Sequence, residues 1–151
     1  MWQRLSALPF GAWLFSRAVS FKAPYFASIS GRFVELRPGY CRVTLAKRRK
    51  MLNHIGTVHA IAVCNLAEMA AGTMCEATVP ATHRWIPKGM TVEYLRKAAT
   101  DLTAVATMDP LPAFDGAARD VLIGVDVTDR AGEVVVRAVI TMRISPRKAA
   151  A

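Results

Sequence analysis

The spacing of apolar residues changes several times along the chain, and each change marks a candidate element. Leu5, Leu8, Ala12, Phe15 and Val19 recur at three- or four-residue steps, which predicts one N-terminal helix. After Pro24 the period shortens. Ile29–Leu36 reads as a strand, Arg37-Pro38-Gly39-Tyr40 as a turn, and Cys41–Lys47 as a half-buried strand with Cys41, Val43 and Leu45 on one face. Gly56–Thr78 is different. It is built of alanines, Leu66, Met69 and Met74, good helix formers throughout. Its apolar residues cover nearly the whole circumference, so it predicts a central helix buried on most sides, with Thr57 as its N-cap. Four more strands follow: Met90–Tyr94, Leu102–Met108, Val121–Val127 and Val134–Ile144. Asp109-Pro110-Leu111-Pro112 opens a loop, and Asp129-Arg130-Ala131-Gly132 makes a hairpin turn. The predicted order is helix, two strands, long helix, four strands. That is an α+β architecture in which an antiparallel sheet curls around one helix.

Length favours one domain: 151 residues support one core. We expect an N-terminal helical extension over 1–26, a core over 27–145 and a frayed tail over 146–151. A hydrophobic fraction of 53% argues against disorder. The longest stretch without Lys, Arg, Asp or Glu is Met51–Ala67, which holds two asparagines and two histidines and makes a poor membrane span. Cys41, Cys64 and Cys75 form an odd set without paired spacing. Reduced thiols and a cytoplasmic location are the expectation.

The net charge of +9 is unevenly placed. Residues 1–50 hold ten basic residues and one acid, Glu35, whereas 51–151 hold ten of each sign. Nine of the twelve aromatics also lie in the first third, so that segment combines both features of an interfacial surface. Two readings of the N-terminal stripe stay open. It packs on the core or a partner subunit, or it makes weak contact with a membrane surface as a basic amphipathic helix. The run Lys47-Arg48-Arg49-Lys50 comes without a nucleic-acid-binding motif, so no specific nucleic-acid partner is expected.

Candidate chemistry lies in the neutral part. Glu68 stands between Ala67 and Met69 in the middle of the apolar helix. Burial there would raise its pKa, as suits a general base, unless it reaches a solvent edge or a subunit contact. Asn65 lies three residues earlier on the same face, either to hold the carboxylate or to satisfy a buried contact. Gly56-Thr57-Val58-His59-Ala60 should open the helix with free N–H groups that can stabilise an oxyanion. His59 is catalytic or braces that loop, with bracing favoured. His54 and His83 read as surface or structural. No metal ligand set is apparent.

The run Asn53-x-x-Gly56-x-x-His59-Ala60, with an acid nine residues after the histidine at Glu68, resembles the hotdog acyl-CoA thioesterases of the phenylacetate-pathway type. Arg84–Met90 and Leu95–Ala98 look more like a bacterial branch of that superfamily whose members mostly lack an assigned activity. The resemblance implies a hotdog fold of five or six antiparallel strands around the central helix, with an extra N-terminal helix. It implies hydrolysis of an acyl-CoA or other acyl thioester without a cofactor, by a homodimer or homotetramer whose sites form between subunits. Glu68 would be the catalytic acid, the Ala60 N–H would polarise the thioester carbonyl, and Asn53 and His59 would shape the loop. Gly56, Asn65 and Thr91 are the substrate-side candidates. Lys88, Arg96 and Lys97 are candidates for the CoA phosphates, or simply a solvated charged face. Three positions depart from the pattern: Ala60 replaces the usual Gly, Glu68 the commoner Asp, and Pro87 a polar residue. A non-catalytic acyl-CoA-binding protein is the alternative these departures raise. An enoyl-thioester hydratase is a further one, since His54 and Glu68 have its fourteen-residue separation, although Ala62-Val63 stands where its Pro-Gly would be.

Overall fold

The computed structural model describes residues 1–147, so the predicted tail lies outside the described residues from 148 onward. Arg147 itself is tied down: its N–H donates to the Thr82 carbonyl at 2.8 Å and its Nε to the His83 carbonyl at 3.0 Å.

The N-terminal stripe forms two helices rather than one, α1 (Trp2–Ser6) and α2 (Gly11–Lys22). Pro9 cannot continue a helix, and Phe10 takes a left-handed conformation with φ 61°. Gly11 then lets the two helices touch, because a Cβ there would lie 1.5 Å from the Leu5 carbonyl oxygen. A short 3-10 turn at Pro24–Ser28 leads to the sheet.

Among the described residues six strands form one antiparallel sheet: β1 (Arg32–Arg37), β2 (Tyr40–Leu45), β3 (His83–Tyr94), β4 (Leu102–Thr107), β5 (Arg119–Thr128) and β6 (Val134–Pro146). Their spatial order is β1-β2-β4-β5-β6-β3. The central helix α3 (Ala60–Thr78) lies against the concave face and touches every strand. It contributes Val63, Leu66, Ala67, Met69, Ala70, Ala71, Met74 and Cys75 to the core, where they meet alternate residues of the strands such as Val43, Ala104, Ile123 and Ile140. This is the α+β hotdog arrangement, with the extra N-terminal helices packed beside it.

Several boundaries differ from the sequence pattern: β1 begins at Arg32 rather than Ile29 and β2 ends at Leu45 rather than Lys47, and two differences have a clear local cause. α3 starts at Ala60, not Gly56, and its cap is His59, not Thr57. Gly56 has φ +77°, a conformation that favours glycine and breaks a helix. β3 starts at His83 and runs through Pro87, well before Met90. Pro87 has no N–H to give the β6 ladder, and the register slips between Pro87 and Gly89, leaving Lys88 as a bulge. A strand with a proline inside does not read as one from sequence, which hides its first half.

α1 and α2 are held to the sheet by an aromatic stack. Trp2 meets Phe15 edge-on at 5.0 Å, and Phe15 meets Phe33 of β1 at 5.1 Å. Ser16 Oγ accepts from the Phe33 N–H at 3.0 Å. The three cysteines are free. Burial raises the Cys41 and Cys75 thiols to about 12, with the Glu35 carboxylate adding to the effect at Cys41.

Candidate functional site

The segment before α3 is a closed, self-bonded loop. Asn53 Oδ1 accepts from the N–H groups of Ile55 (3.1 Å) and Thr57 (3.0 Å), and Asn53 Nδ2 donates to Thr57 Oγ1 at 2.8 Å. The backbone adds Asn53 N–H to the Thr57 carbonyl at 2.9 Å and Gly56 N–H to the Asn53 carbonyl at 3.1 Å. Asn side chains close such turns by imitating a backbone group. Asn53 therefore shapes the loop, with its oxygen fully committed. Val58 N–H donates to the Ala98 carbonyl at 2.9 Å, which ties the loop to the segment that carries Arg96 and Lys97.

His59 is exposed and caps the helix: Nδ1 accepts from the Ile61 N–H at 3.1 Å. That is a bracing role, and it commits Nδ1 as the acceptor of the cap. Among the described residues the Ala60 N–H meets no acceptor. It is one of the orphan donors of a helix N-terminus, at the positive end of the dipole. His54 is exposed in the loop, and His83 is buried against Phe114 with Nδ1 2.9 Å from Thr82 Oγ1.

On α3 the structure decides between the readings left open for Glu68 and Asn65. Glu68 is not desolvated by the core of its own chain. It is exposed, while its neighbours Ala67 and Met69 are buried. One helical position out of every turn or so escapes the sheet, and Glu68 occupies it. Asn65 does not hold the carboxylate. It is buried, and Nδ2 donates to the Tyr25 carbonyl at 3.3 Å and to Ser28 Oγ at 3.2 Å. Asn65 therefore fastens the 3-10 turn of the N-terminal extension to α3.

Glu68 opens onto a groove of about 640 Å³ between α3 and the N-terminal helices. Its walls are mostly apolar, with Trp2, Phe15, Val19 and Phe26 from the extension and Trp85 from β3. Gly72 and Glu76 follow Glu68 at one-turn intervals along the floor. A Cβ on Gly72 would sit 3.2 Å from Trp85 Cη2, so glycine lets the indole lie close to the helix. At the far end, Trp85 Nε1 donates to Glu76 Oε2 at 3.2 Å, and Lys22 Nζ lies 3.9 Å from Glu76 Oε1. The crowding of aromatics into the first third hints at this groove; which of them wall it is set by the packing of α1 and α2.

The remaining candidates are scattered. Lys88 is ion-paired with Asp120 at 2.6 Å, and Arg96 with Glu133 at 3.3 Å. These pairs are exposed, and such contacts contribute little to stability. Lys97 and Thr91 are exposed, the latter on β3. Cys64 of α3 and Tyr94 of β3 share a hydrogen bond of 3.3 Å, which raises the tyrosine hydroxyl to about 12. Among the described residues no group of His, Cys, Asp and Glu is arranged to hold a metal ion, and no helix is long and apolar enough to cross a membrane.

Comparison with known proteins agrees with the fold. A structural-genomics protein shares 50% identity over 97% of this chain and 96% of its own, with a TM-score of 0.85. A Pseudomonas aeruginosa protein of unknown function, described as a probable thioesterase, shares 25% identity over 93% of this chain and 97% of its own, with a TM-score of 0.79. The Escherichia coli PaaI protein of the phenylacetic acid degradation operon is 17% identical over 87% of this chain and 96% of its own, with a TM-score of 0.69, a likeness of fold. No curated protein matches the sequence. Residues 11–144 match the family model described as a domain of unknown function, DUF4442. With that match running from the start of α2 to Ile144 near the end of β6, the chain belongs to the DUF4442 family and carries it on a hotdog fold.

Proposed function

We propose that the protein hydrolyses acyl thioesters, acyl-CoA or a similar carrier, at a site completed by two copies of the chain. The observation that carries this reading is the Glu68 carboxylate opening onto an apolar groove of about 640 Å³, a size typical of small-molecule sites. The groove takes the acyl chain and Glu68 faces the carbonyl end. The probable-thioesterase relative from Pseudomonas aeruginosa supports the same reaction class.

Glu68 and Ala60 lie eight residues apart on one helix, about 12 Å along its axis. A carboxylate cannot serve a carbonyl held at its own Ala60 N–H. A second chain supplies the missing partner if the two α3 helices run antiparallel side by side. β3 favours such a pairing. It is a twelve-residue edge strand, and Ile86, Met90 and Tyr94 are exposed along it. Long apolar edges invite another strand. The pairing would cover both β3 edges and bring each Glu68 towards the other chain.

In the reaction, a Glu68 carboxylate oxygen takes a proton from water as the water oxygen attacks the thioester carbonyl. The oxyanion that forms is held by the partner chain's Ala60 N–H. Collapse breaks the C–S bond, and the departing thiolate takes the proton back from Glu68. The products are a carboxylic acid and a free thiol, and no cofactor is consumed. Lys97, near the loop before α3, and the basic first third would draw the CoA phosphates by their field.

The test is release of free thiol from a panel of acyl-CoAs. Glu68→Gln should lower kcat by about 10²- to 10⁴-fold, the usual contribution of a general base. Undiminished turnover by Glu68→Gln would overturn the mechanism. Tight acyl-CoA binding with no thiol release would favour the non-catalytic reading instead, in which the Ala60 methyl keeps the carbonyl off the helix terminus.

A further inference from the structure

The two faces of α2 are both apolar but differ in their surroundings. Phe15 and Ser16 turn inward and are buried. Trp13, Leu14, Arg17 and Phe21 fall within about 100° of arc on the other side. There Trp13 is 50% exposed, Leu14 45% and Phe21 90%, and Phe10, just before the helix, is 83% exposed. An aromatic face this open is uncommon on a soluble surface and marks an interaction site.

Charge says what kind. Beside Trp13 lies a hollow of about 360 Å³ into which Arg17, Arg32 and Arg48 converge. Ser16, Ser20 and Ser30 also line it, and no Asp or Glu does. Among the described residues none of the three guanidiniums has a carboxylate partner. Every ion-paired acid is occupied elsewhere; Glu35, the one acid in the first third, is taken by Arg37 and Arg42. Free guanidiniums suit phosphate oxygens, whereas the Ser16 and Ser30 hydroxyls already donate to the Ala12 and Ala27 carbonyls. Trp13 and Arg17 belong to both the aromatic face and the hollow, so the two features are continuous.

We propose that this surface docks on an anionic phospholipid bilayer, with the aromatic face of α2 entering the headgroup region and lipid phosphates held by Arg17, Arg32 and Arg48. Aromatic and basic residues together on one helix face are the pattern of interfacial helices. A second copy of the chain fits less well. A two-fold contact would set the unpaired arginines of one copy against those of the other. The surface also lies by β1, at the opposite edge of the sheet from β3, so edge pairing through β3 leaves it open. The proposal rests on none of the thioesterase reading. It gives α2 two tasks: the inner face walls the groove and the outer face meets lipid.

Co-sedimentation of the full chain with vesicles tests it. The protein should pellet with mixed phosphatidylcholine–phosphatidylglycerol vesicles and not with phosphatidylcholine alone, and binding should weaken as salt is raised. Arg17→Ala or Arg48→Ala should each weaken binding about fivefold, the value of one basic residue near an anionic surface. Trp13→Ser with Phe21→Ser should weaken it tenfold or more, with the circular dichroism spectrum unchanged and Tm lowered by a few degrees at most, since Phe21 is almost wholly exposed and Trp13 half exposed. Tryptophan emission should shift to the blue on binding in the parent, and the shift should be lost in Trp13→Ser, which leaves Trp2 and Trp85 in place. Absence of binding to anionic vesicles would refute the proposal, as would equal binding to neutral ones or full retention of binding by the double variant. Self-association that disappears in the double variant would assign the face to a second copy instead. Inorganic phosphate that competes fully with vesicles at low concentration would reduce the hollow to a site for a free anion and likewise overturn membrane docking.

Discussion

Replacing His59 separates bracing from chemistry. Its Nδ1 accepts from the Ile61 N–H at 3.1 Å and is the side-chain cap of α3. His59→Ala leaves that donor to water and costs about 1 kcal/mol, within a usual span of about 0.5–2 for a lost cap. In a protein of this size, about 1 kcal/mol corresponds to a fall of about 2–4 °C in Tm. The loop should survive, because its closure depends on Asn53 and Thr57 rather than on the imidazole. His59→Asn supplies a neutral acceptor in the same place and should recover most of the loss. His59→Asp should recover it fully and gain about 0.3–1 kcal/mol from the helix dipole. Activity should divide the two caps. The Asn variant keeps the neighbouring Ala60 N–H free and should turn over acyl-CoA like the parent. The Asp variant sets a negative charge beside the proposed oxyanion position and should turn over less well despite its greater stability. Urea unfolding and thiol release on the same four proteins provide the assay. If His59→Ala is as stable as the parent, the capping argument fails. If His59→Asn keeps its stability but loses activity by orders of magnitude, the imidazole itself takes part in the chemistry.

Two further outcomes follow from the core. Phe33 is fully buried at the base of the Trp2–Phe15–Phe33 stack, so Phe33→Ala should cost about 3–5 kcal/mol in urea unfolding and expose 1–28 to proteolysis; a loss under about 1 kcal/mol would show that the extension is not anchored there. The Cys41 and Cys75 thiols are raised from 9.0 to about 12 in the folded chain. The folded state therefore holds these protons more tightly than the unfolded one. Their contribution is fully present below pH 9 and is lost as pH rises towards 12, with a slope of at most about 1.4 kcal/mol per pH unit for each thiol. Stability measured across that window should fall, and the Cys41→Ala/Cys75→Ala double variant should show a flatter profile; an equal slope in both would refute the assignment.

The parts of the fold carried by local periodicity were legible from the residues. The alternation in Cys41–Leu45 and Val121–Val127 gives strands because one face of each packs on α3. The apolar circumference of Gly56–Thr78 gives the central helix because a sheet wraps it. Asp129 and Gly132 give the last hairpin by closing the turn: Asp129 Oδ1 accepts from Ala131 and Glu133, and Gly132 has φ +85°. The motif from Asn53 to Glu68 pointed to the segment that the structure builds into a closed loop and a free helix terminus.

What the residues could not show depends on contacts between distant segments. Whether Glu68 is buried is set by which helical position the curved sheet leaves uncovered, and no local pattern records that. The role of Asn65 depends on a turn forty residues away in sequence coming to rest on α3. The first half of β3 escapes notice because Pro87 contradicts a strand locally, while pairing with β6 imposes one and absorbs the proline in a bulge. The uneven charge was plain in the sequence, but its meaning was not. Only the packing of α2 turns Phe15 inward to wall a groove and leaves Trp13, Phe21 and three unpaired arginines on the outside. Local chemistry thus determined the elements; burial, which depends on the whole assembly of those elements, decided which of their side chains line the groove and which stay on the outer surface.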